Sequence, residues 1–141
     1  MTDPFDLQRF VDAQAPVYPQ VVAELGRGRK QSHWMWFIFP QLAGLGSSAM
    51  ARRYAIVSRE EALAYLGHPL LGPRLSQCTA LVIAVEGKTI REILGSPDDM
   101  KFRSSMTLFD AVSRAAPEFR AAIEKFYDGS VDPRTLQLLQ G

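Results

Sequence analysis

Apolar residues recur along the chain at helical spacing, in short runs separated by glycine and proline. Leu7, Phe10 and Val11 form the first stripe, and Asp3, Pro4 and Asp6 ahead of it predict an N-cap, a first-turn proline and a first-turn acid. Pro16 and Pro19 end that helix and open a second, with Val17, Val21, Val22 and Leu25 on one face until Gly26 and Gly28 stop it. Ser58 with Glu61, and Thr89 with Glu92, match the capping box, in which two side chains reciprocally satisfy free amides at a helix start. Gly67 closes the helix begun at Ser58, and His68 before Pro69 marks a joint. Leu71, Leu75, Cys78, Val82 and Val85 then mark the expected central helix, up to Gly87; Val82 to Val85 has strand propensity, but its neighbours keep the helical period. Ser96, Pro97, Asp98 and Asp99 open a further helix with Phe102, Met106, Phe109 and Val112 as its inward stripe. Pro117 opens another on Phe119, Ile123 and Phe126, and Asp132-Pro133 opens a last short one through Leu136 and Leu139.

No hairpin dipeptide lies between alternating segments, and no repeat, linker or low-complexity run divides the 141 residues. The pattern predicts an all-α fold, a single domain over 1–141 built as an irregular multihelical array of short helices around one core. The stripes are too brief for coiled-coil seams.

Composition narrows the function classes more than the fold. With 47% hydrophobic and 22% charged residues the chain belongs with ordered globular proteins rather than disordered ones. Sixteen basic and fifteen acidic side chains leave a net charge of +1, so the broad positive field that duplex binding exploits is missing and duplex nucleic acid is not an expected partner. Any anion site has to be local. The single cysteine, Cys78, cannot form an internal disulfide, which agrees with a reducing, cytoplasmic compartment. No Cys/His spacing suits a structural zinc, and no Walker or dinucleotide loop is present, so neither a metal nor a cofactor is expected. The longest apolar runs, Trp34 to Pro40 and Ala80 to Val85, are too short to cross a bilayer. The first residues lack the basic and apolar regions of a secretory signal, so a soluble, unprocessed protein is expected.

One block departs from average sequence. Arg27 to Pro40 sets three cations, Arg27, Arg29 and Lys30, and one histidine, His33, directly ahead of four aromatics that include both tryptophans, Trp34 and Trp36. Aromatic bodies can wall a pocket, and the cations can hold an anion. The plainer reading makes Trp34, Met35, Phe37, Ile38 and Phe39 core, with each indole N–H in need of an acceptor. Two further groups suit the same site: Arg52, Arg53 and Tyr54, which follow the Gly44 to Ser48 turn, and Lys101, Arg103, Ser104, Ser105 and Thr107 beyond Pro97. Cations with hydroxyls at a helix start match what a phosphate requires. Their plainer reading is a solvated helix face with local ion pairs, for example Arg103 with Asp99 at helical spacing. For catalysis, His33 is the candidate titratable group, with Asp98, Asp99 and Glu61 as carboxylate partners, while Ser104 and Ser105 lack the turn that exposes a nucleophilic serine.

At His33-Trp-Met-Trp-Phe-Ile-Phe-Pro-Gln41, Arg53-Tyr-Ala-Ile56, Leu71-Gly-Pro-Arg-Leu75 and Arg103-Ser-Ser-Met-Thr-Leu-Phe109 the chain closely resembles a bacterial helical family, domain of unknown function 1810, over essentially its full length. Members sometimes carry the name calpastatin, but nothing in this sequence points to protease inhibition. The resemblance implies a small multihelical fold without an assigned activity, and it singles out His33 to Gln41, Arg53-Tyr54 and Arg103 to Phe109 as site blocks. A fainter likeness, in the order of a Glu-Ala helix, a Met-rich helix and a closing Lys-Phe helix, is to the NADAR enzymes that process ADP-ribose and related N-glycosides, whose N-terminal signature is absent here.

The leading expectation is a pocket protein that binds, and as an extension hydrolyses, a small phosphorylated or nucleotide-like metabolite through His33, Trp34, Trp36, Gln41, Arg53, Tyr54, Lys101, Arg103, Ser104, Ser105 and Thr107. The alternative is a noncatalytic interaction module that docks a protein partner or a second copy of the chain as a homo-oligomer. Single-stranded nucleic-acid binding by stacking beside cations ranks third, because the charge balance is near neutral.

Overall fold

The computed structural model describes residues 3–113 and 115–140, so Met1 and Thr2 lie outside it. Ten helices follow one another among the described residues: α1 (Gln8–Gln14), α2 (Tyr18–Gly26), α3 (Met35–Ile38), α4 (Ala49–Arg53), α5 (Arg59–Gly67), α6 (Leu71–Ile83), α7 (Ile90–Leu94), α8 (Asp98–Val112), α9 (Pro117–Tyr127) and α10 (Pro133–Gln140). The only extended pairing among those residues is an isolated parallel bridge between Leu42 and Ile56, where Ile56 N–H donates to the Gln41 carbonyl and Ala43 N–H to the Ile56 carbonyl. The protein is all-α, as its periodicity predicts.

Most helix starts follow from local chemistry. Thr89 and Glu92 form a complete capping box at α7. At α5 the box is half made: Ser58 Oγ accepts from the Glu61 amide, but the Glu61 carboxylate turns to the Val57 amide and to Arg9. Asp3 caps α1 from one turn further out than expected, since its carboxylate oxygens accept from the amides of Leu7 and Gln8 and the regular helix begins only there. His68 Nδ1 accepts from the amides of Leu70 and Leu71 and so starts α6. The helices α3 and α4 were not anticipated, because four and five residues are too few to show a period.

The helix α6 is central and packs on α2, α5 and α9, with Leu71, Leu75, Cys78 and Val82 buried. Its turns end at Ile83, so Val85 falls just outside. Gly72 permits the tight joint with α5: a Cβ there would stand 2.1 Å from the Leu66 carbonyl oxygen, well inside contact distance. The buried apolar side chains form one cluster, threaded by two files of aromatic rings. One runs Phe37, Tyr54, Phe10, Tyr65, Phe109, Phe119 with centroids 5.1–5.7 Å apart. The other runs Trp34, Phe39, Phe102, Phe126, and Phe39 meets Phe102 edge-on at 4.9 Å. Phe37 thus opens one file while Trp34 and Phe39 begin the other, so α3 is the wedge between them. No helix among the described residues is long and apolar enough to cross a membrane.

Candidate functional site

The Arg27 to Pro40 block is organised by a residue upstream of it. Glu24, on α2, is fully buried, and its carboxylate accepts hydrogen bonds from five donors: the amides of Gln31 (2.8 Å) and Ser32 (3.0 Å), Ser32 Oγ (2.6 Å), Gln20 Nε2 (2.8 Å) and Trp34 Nε1 (2.9 Å). Burial by itself would raise the pKa of this acid, but the bonds from Ser32 and Gln31 outweigh it and lower it to about 2. The Trp34 indole therefore has its acceptor inside the protein, and Trp34 is a core residue. Phe37, Ile38 and Phe39 are buried with it.

Trp36 differs. It is only partly buried, yet its indole nitrogen is shielded from solvent and has no hydrogen-bond partner. The ring lines a cleft with Met35 and Phe39, also from the α3 region, with Gln41, with Ala51 and Tyr54 from α4 and its end, and with Lys101 from α8. The cleft holds about 230 Å³ of empty space including its mouth. Lys101 Nζ stands over the Trp36 ring, 5.3 Å from its centroid. Gln41 and Ala51 also border a second depression, of about 380 Å³ including its mouth, lined in part by Gly44 and Gly46. Gly46 allows the close approach of this turn to α4, because a Cβ on it would lie 2.6 Å from the Ala51 methyl and 3.3 Å from Gln41 Nε2.

Beside the cleft the charges are shared unequally. Asp98 Oδ2 lies 2.9 Å from Lys30 Nζ, whereas Oδ1 lies 3.6 Å from Lys101 Nζ. Lys30 also stands over the Trp34 ring, 5.1 Å from its centroid. Two ammonium groups thus share one carboxylate above two indoles, which leaves one positive charge in surplus.

The other predicted residues go elsewhere. Arg103 Nε donates to the Ser130 carbonyl (2.8 Å), and its Nη2 donates to Ser130 Oγ (2.8 Å) and the Val131 carbonyl (2.6 Å). The expected pairing with Asp99 does not form, because the guanidinium reaches three oxygens of the α9–α10 turn instead. Ser104 Oγ donates to Asp132 Oδ2 (2.7 Å), and Thr107 Oγ1 accepts from the Asp132 amide (3.0 Å). Burial tends to raise the pKa of Asp132, but bonds from Thr135, Ser104 and the Arg134 amide lower it overall. Arg103, Ser104 and Thr107 therefore latch the start of α10 onto α8. Arg103→Ala is expected to cost about 2 kcal/mol, the scale of losing hydrogen bonds from a charged donor at a partly exposed site. Limited proteolysis checks it through faster cleavage within 128–133.

Ser105 is fully buried and its hydroxyl has no partner, one helical turn along α8 from Lys101. Arg53 is exposed on a different face, over the Tyr54 ring at 5.5 Å, and borders a depression with Asp6, Arg9 and Asp12. His33 is exposed and lines neither the cleft nor the depression beside it; of the carboxylates proposed as its partners, Asp98 is engaged with Lys30 and Glu61 with Arg9, while the Oδ1 of Asp99 is buried with no hydrogen-bond partner, His33 included. The three blocks thus meet only in part: Trp36, Gln41, Tyr54 and Lys101 share one cleft, while Arg53, Arg103, Ser104, Thr107 and His33 do not border it. Sequence reading missed Glu24 and Arg9. Glu24 sits in an otherwise amphipathic helix as an acid among apolar neighbours, which was its one visible signal. Among the described residues no group of His, Cys, Asp and Glu could hold a metal ion.

The crystal structure of the conserved hypothetical protein Rv1873 from Mycobacterium tuberculosis is similar to the chain at 60% identity over 99% of each, with a TM-score of 0.97. No curated protein matches it. The model of a family described as a protein of unknown function, DUF1810, matches residues 4–139, and a match over nearly the whole chain makes this protein a member of that family.

Proposed function

We propose that the protein binds a small phosphorylated or nucleotide-like metabolite in the cleft walled by Trp36, Phe39 and Tyr54 and bordered by Gln41 and Lys101. The observation that carries the reading is the Trp36 indole N–H, shielded from water without an acceptor in a wall that also presents an ammonium. A buried donor left unpaired costs about 1–3 kcal/mol, which an oxygen atom of a ligand would recover. Lys101 and the Gln41 amide add donors to the same wall, so the complement is an oxygen-rich, acceptor-bearing group. The lining holds no carboxylate, imidazole or cysteine, so we read the cleft as a binding site rather than a hydrolytic one. The 230 Å³ includes the open mouth and leaves room inside for about one water-sized group, so a ligand would place a single oxygen atom inside and lay the rest of the molecule over the mouth, past Gln41. The buried, unpaired thiol of Cys78 suits a cytoplasmic setting.

A docking role has less support. The large apolar side chains that stand out at the surface, Val57, Leu63 and Met100, lie on the loop before α5, on α5 and on α8, and Val57 lines a depression with Leu138 and Leu139 that is also bordered by Ser58, Arg59 and Glu60.

The two tryptophans give the test its readout, since one indole N–H is bonded to Glu24 and the other is unpaired. In a ¹⁵N-labelled sample titrated with AMP, ADP-ribose and glucose 6-phosphate, at least one compound should move the Trp36 indole signal and leave the Trp34 signal in place. The same compound should raise the melting temperature, by an amount equivalent to about 2.7 kcal/mol at a hundred times its Kd. If no member of the series moves the Trp36 signal, or if the shift survives Lys101→Met unchanged, the cleft is not the site.

A further inference from the structure

Asp98 is the first residue of α8, and it stands between the two lysines that flank the tryptophans. The three side chains are largely withdrawn from solvent, with 9% of Lys30, 17% of Asp98 and 25% of Lys101 exposed. Their charges are therefore screened less than those of a surface pair. The contact with Lys30 has hydrogen-bond length and the contact with Lys101 does not. Lys101 is left with ammonium donors to spare, and it is the lysine that borders the cleft.

Taking the cleft as the ligand site, we infer that its ligand is a compact oxyanion, a carboxylate or phosphate group, and that Asp98 is the specificity-determining counter-charge that weakens and selects it. The oxyanion would accept from Lys101 and from the Trp36 indole N–H, and so use the surplus positive charge that Lys30 and Lys101 together hold over Asp98. Asp98 occupies the place of a first anion on this pair, so it neutralises Lys30 and opposes a second negative charge. The space agrees with a small group held at the mouth: the 230 Å³ includes the open mouth, and the room inside is about that of one water, enough for a single oxygen atom of the oxyanion. A neutral molecule of the same shape would meet the indole N–H but not the charge.

This arrangement predicts a sign that an ordinary helical ion pair would not. Asp98→Asn removes the opposing charge while keeping the shape, and it should bind oxyanions at least tenfold more tightly, because an oxygen held by Lys101 lies within about 7 Å of Asp98 Oδ1, where a unit charge at an effective dielectric constant near 20 has at least that effect. Lys30→Met removes the surplus and should weaken them by a similar factor, and Lys101→Met should abolish binding. The experiment titrates the wild type and the three variants with inorganic phosphate, acetate and neutral acetamide, following the Trp36 indole signal, with the Trp34 signal as the check that each variant is folded. Phosphate and acetate arms separate the two oxyanion classes, and either one binding as described supports the proposal.

The inference is overturned, with the cleft reading intact, if acetamide binds as well as acetate, or if a metabolite moves the Trp36 signal while the folded variants at Asp98 and Lys30 leave its affinity unchanged. Absence of any shift from phosphate, acetate or the larger metabolites, in every variant, removes both readings together. Should Asp98→Asn lose its Trp34 signal, Lys30→Met alone decides the matter through the predicted weakening.

Discussion

Glu24→Ala loses about 3–5 kcal/mol of folding stability, the largest effect expected from a single substitution in this chain. The carboxylate is the shared acceptor for the Gln31 and Ser32 amides, the Ser32 hydroxyl, the Gln20 amide and the Trp34 indole. Alanine leaves these donors unpaired at a buried position, and an unsatisfied buried donor costs about 1–3 kcal/mol. Two of the groups regain water when the loop opens, so the total falls short of the sum. Thermal unfolding should show a midpoint lower by about 10–20 °C, on the scale of roughly 4 °C per kcal/mol for a domain of this size. The Trp34 indole resonance should lose its carboxylate-bonded shift. The same residue sets an acid limb. Its folded pKa, about 2, lies below the ordinary value of 4.5, so the folded state favours the ionised form. That contribution is complete above pH 4.5, declines as the pH falls through the interval and is gone below about 2. Glu24→Gln should flatten stability against pH in that window, which denaturant titrations between pH 2 and 6 can measure.

Arg9→Met should cost nearly as much, about 3–5 kcal/mol, because it strands a buried charge. All five N–H donors of Arg9 are used: Nε reaches the Arg53 carbonyl, Nη1 the carbonyls of Phe5 and Asp6, and Nη2 the Ala55 carbonyl and the Glu61 carboxylate. Glu61 is 1% exposed, so losing its partner leaves an anion in the interior with only the Val57 amide to hold it. Arg9→Lys should recover little, since an ammonium on a flexible stem cannot reach four carbonyls and a carboxylate in a planar fork. Guanidinium denaturation of the two variants measures both. The Arg53 and Ala55 carbonyls flank Tyr54, a wall of the cleft, so either substitution should also weaken any ligand that moves the Trp36 signal.

These two residues show where reading the chain by pattern stops. Thr89 with Glu92 was legible because every atom of a capping box lies within four residues. Ser58 with Glu61 was half legible, because the pairing that competes for Glu61 comes from Arg9, 52 positions away. The helical stripes of α6, α8 and α9 showed their period over two or more turns, whereas α3 and α4 are each about one turn long. At the site, residue type alone was a partial guide. Trp36, Tyr54 and Lys101 were chosen for aromatic bodies and a cation, and Gln41 as the end of the block that the family resemblance singles out, and the four line one cleft. Arg103 was chosen on the same grounds, but a guanidinium satisfied by backbone carbonyls is indistinguishable in sequence from one awaiting a phosphate, and its partners at Ser130 and Val131 carry no signature. Trp34 and Trp36 are two residues apart and chemically alike; what separates them is Glu24, ten residues upstream of Trp34, which supplies an acceptor to one indole and not to the other.

The buried carboxylate of Glu24 and the bridging one of Asp98 also change what the basic block looks like from a distance. Arg27, Arg29 and Lys30 make a run of three charges on paper, but two anions lie within or against the loop that bears them. They offset two of those three charges, on a chain whose net charge is only +1. A negatively charged solute would feel little guidance on approach and would arrive by plain diffusion, meeting the attraction of Lys101 only at the mouth of the cleft. Encounter would then be almost indifferent to ionic strength, while residence would be decided at close range.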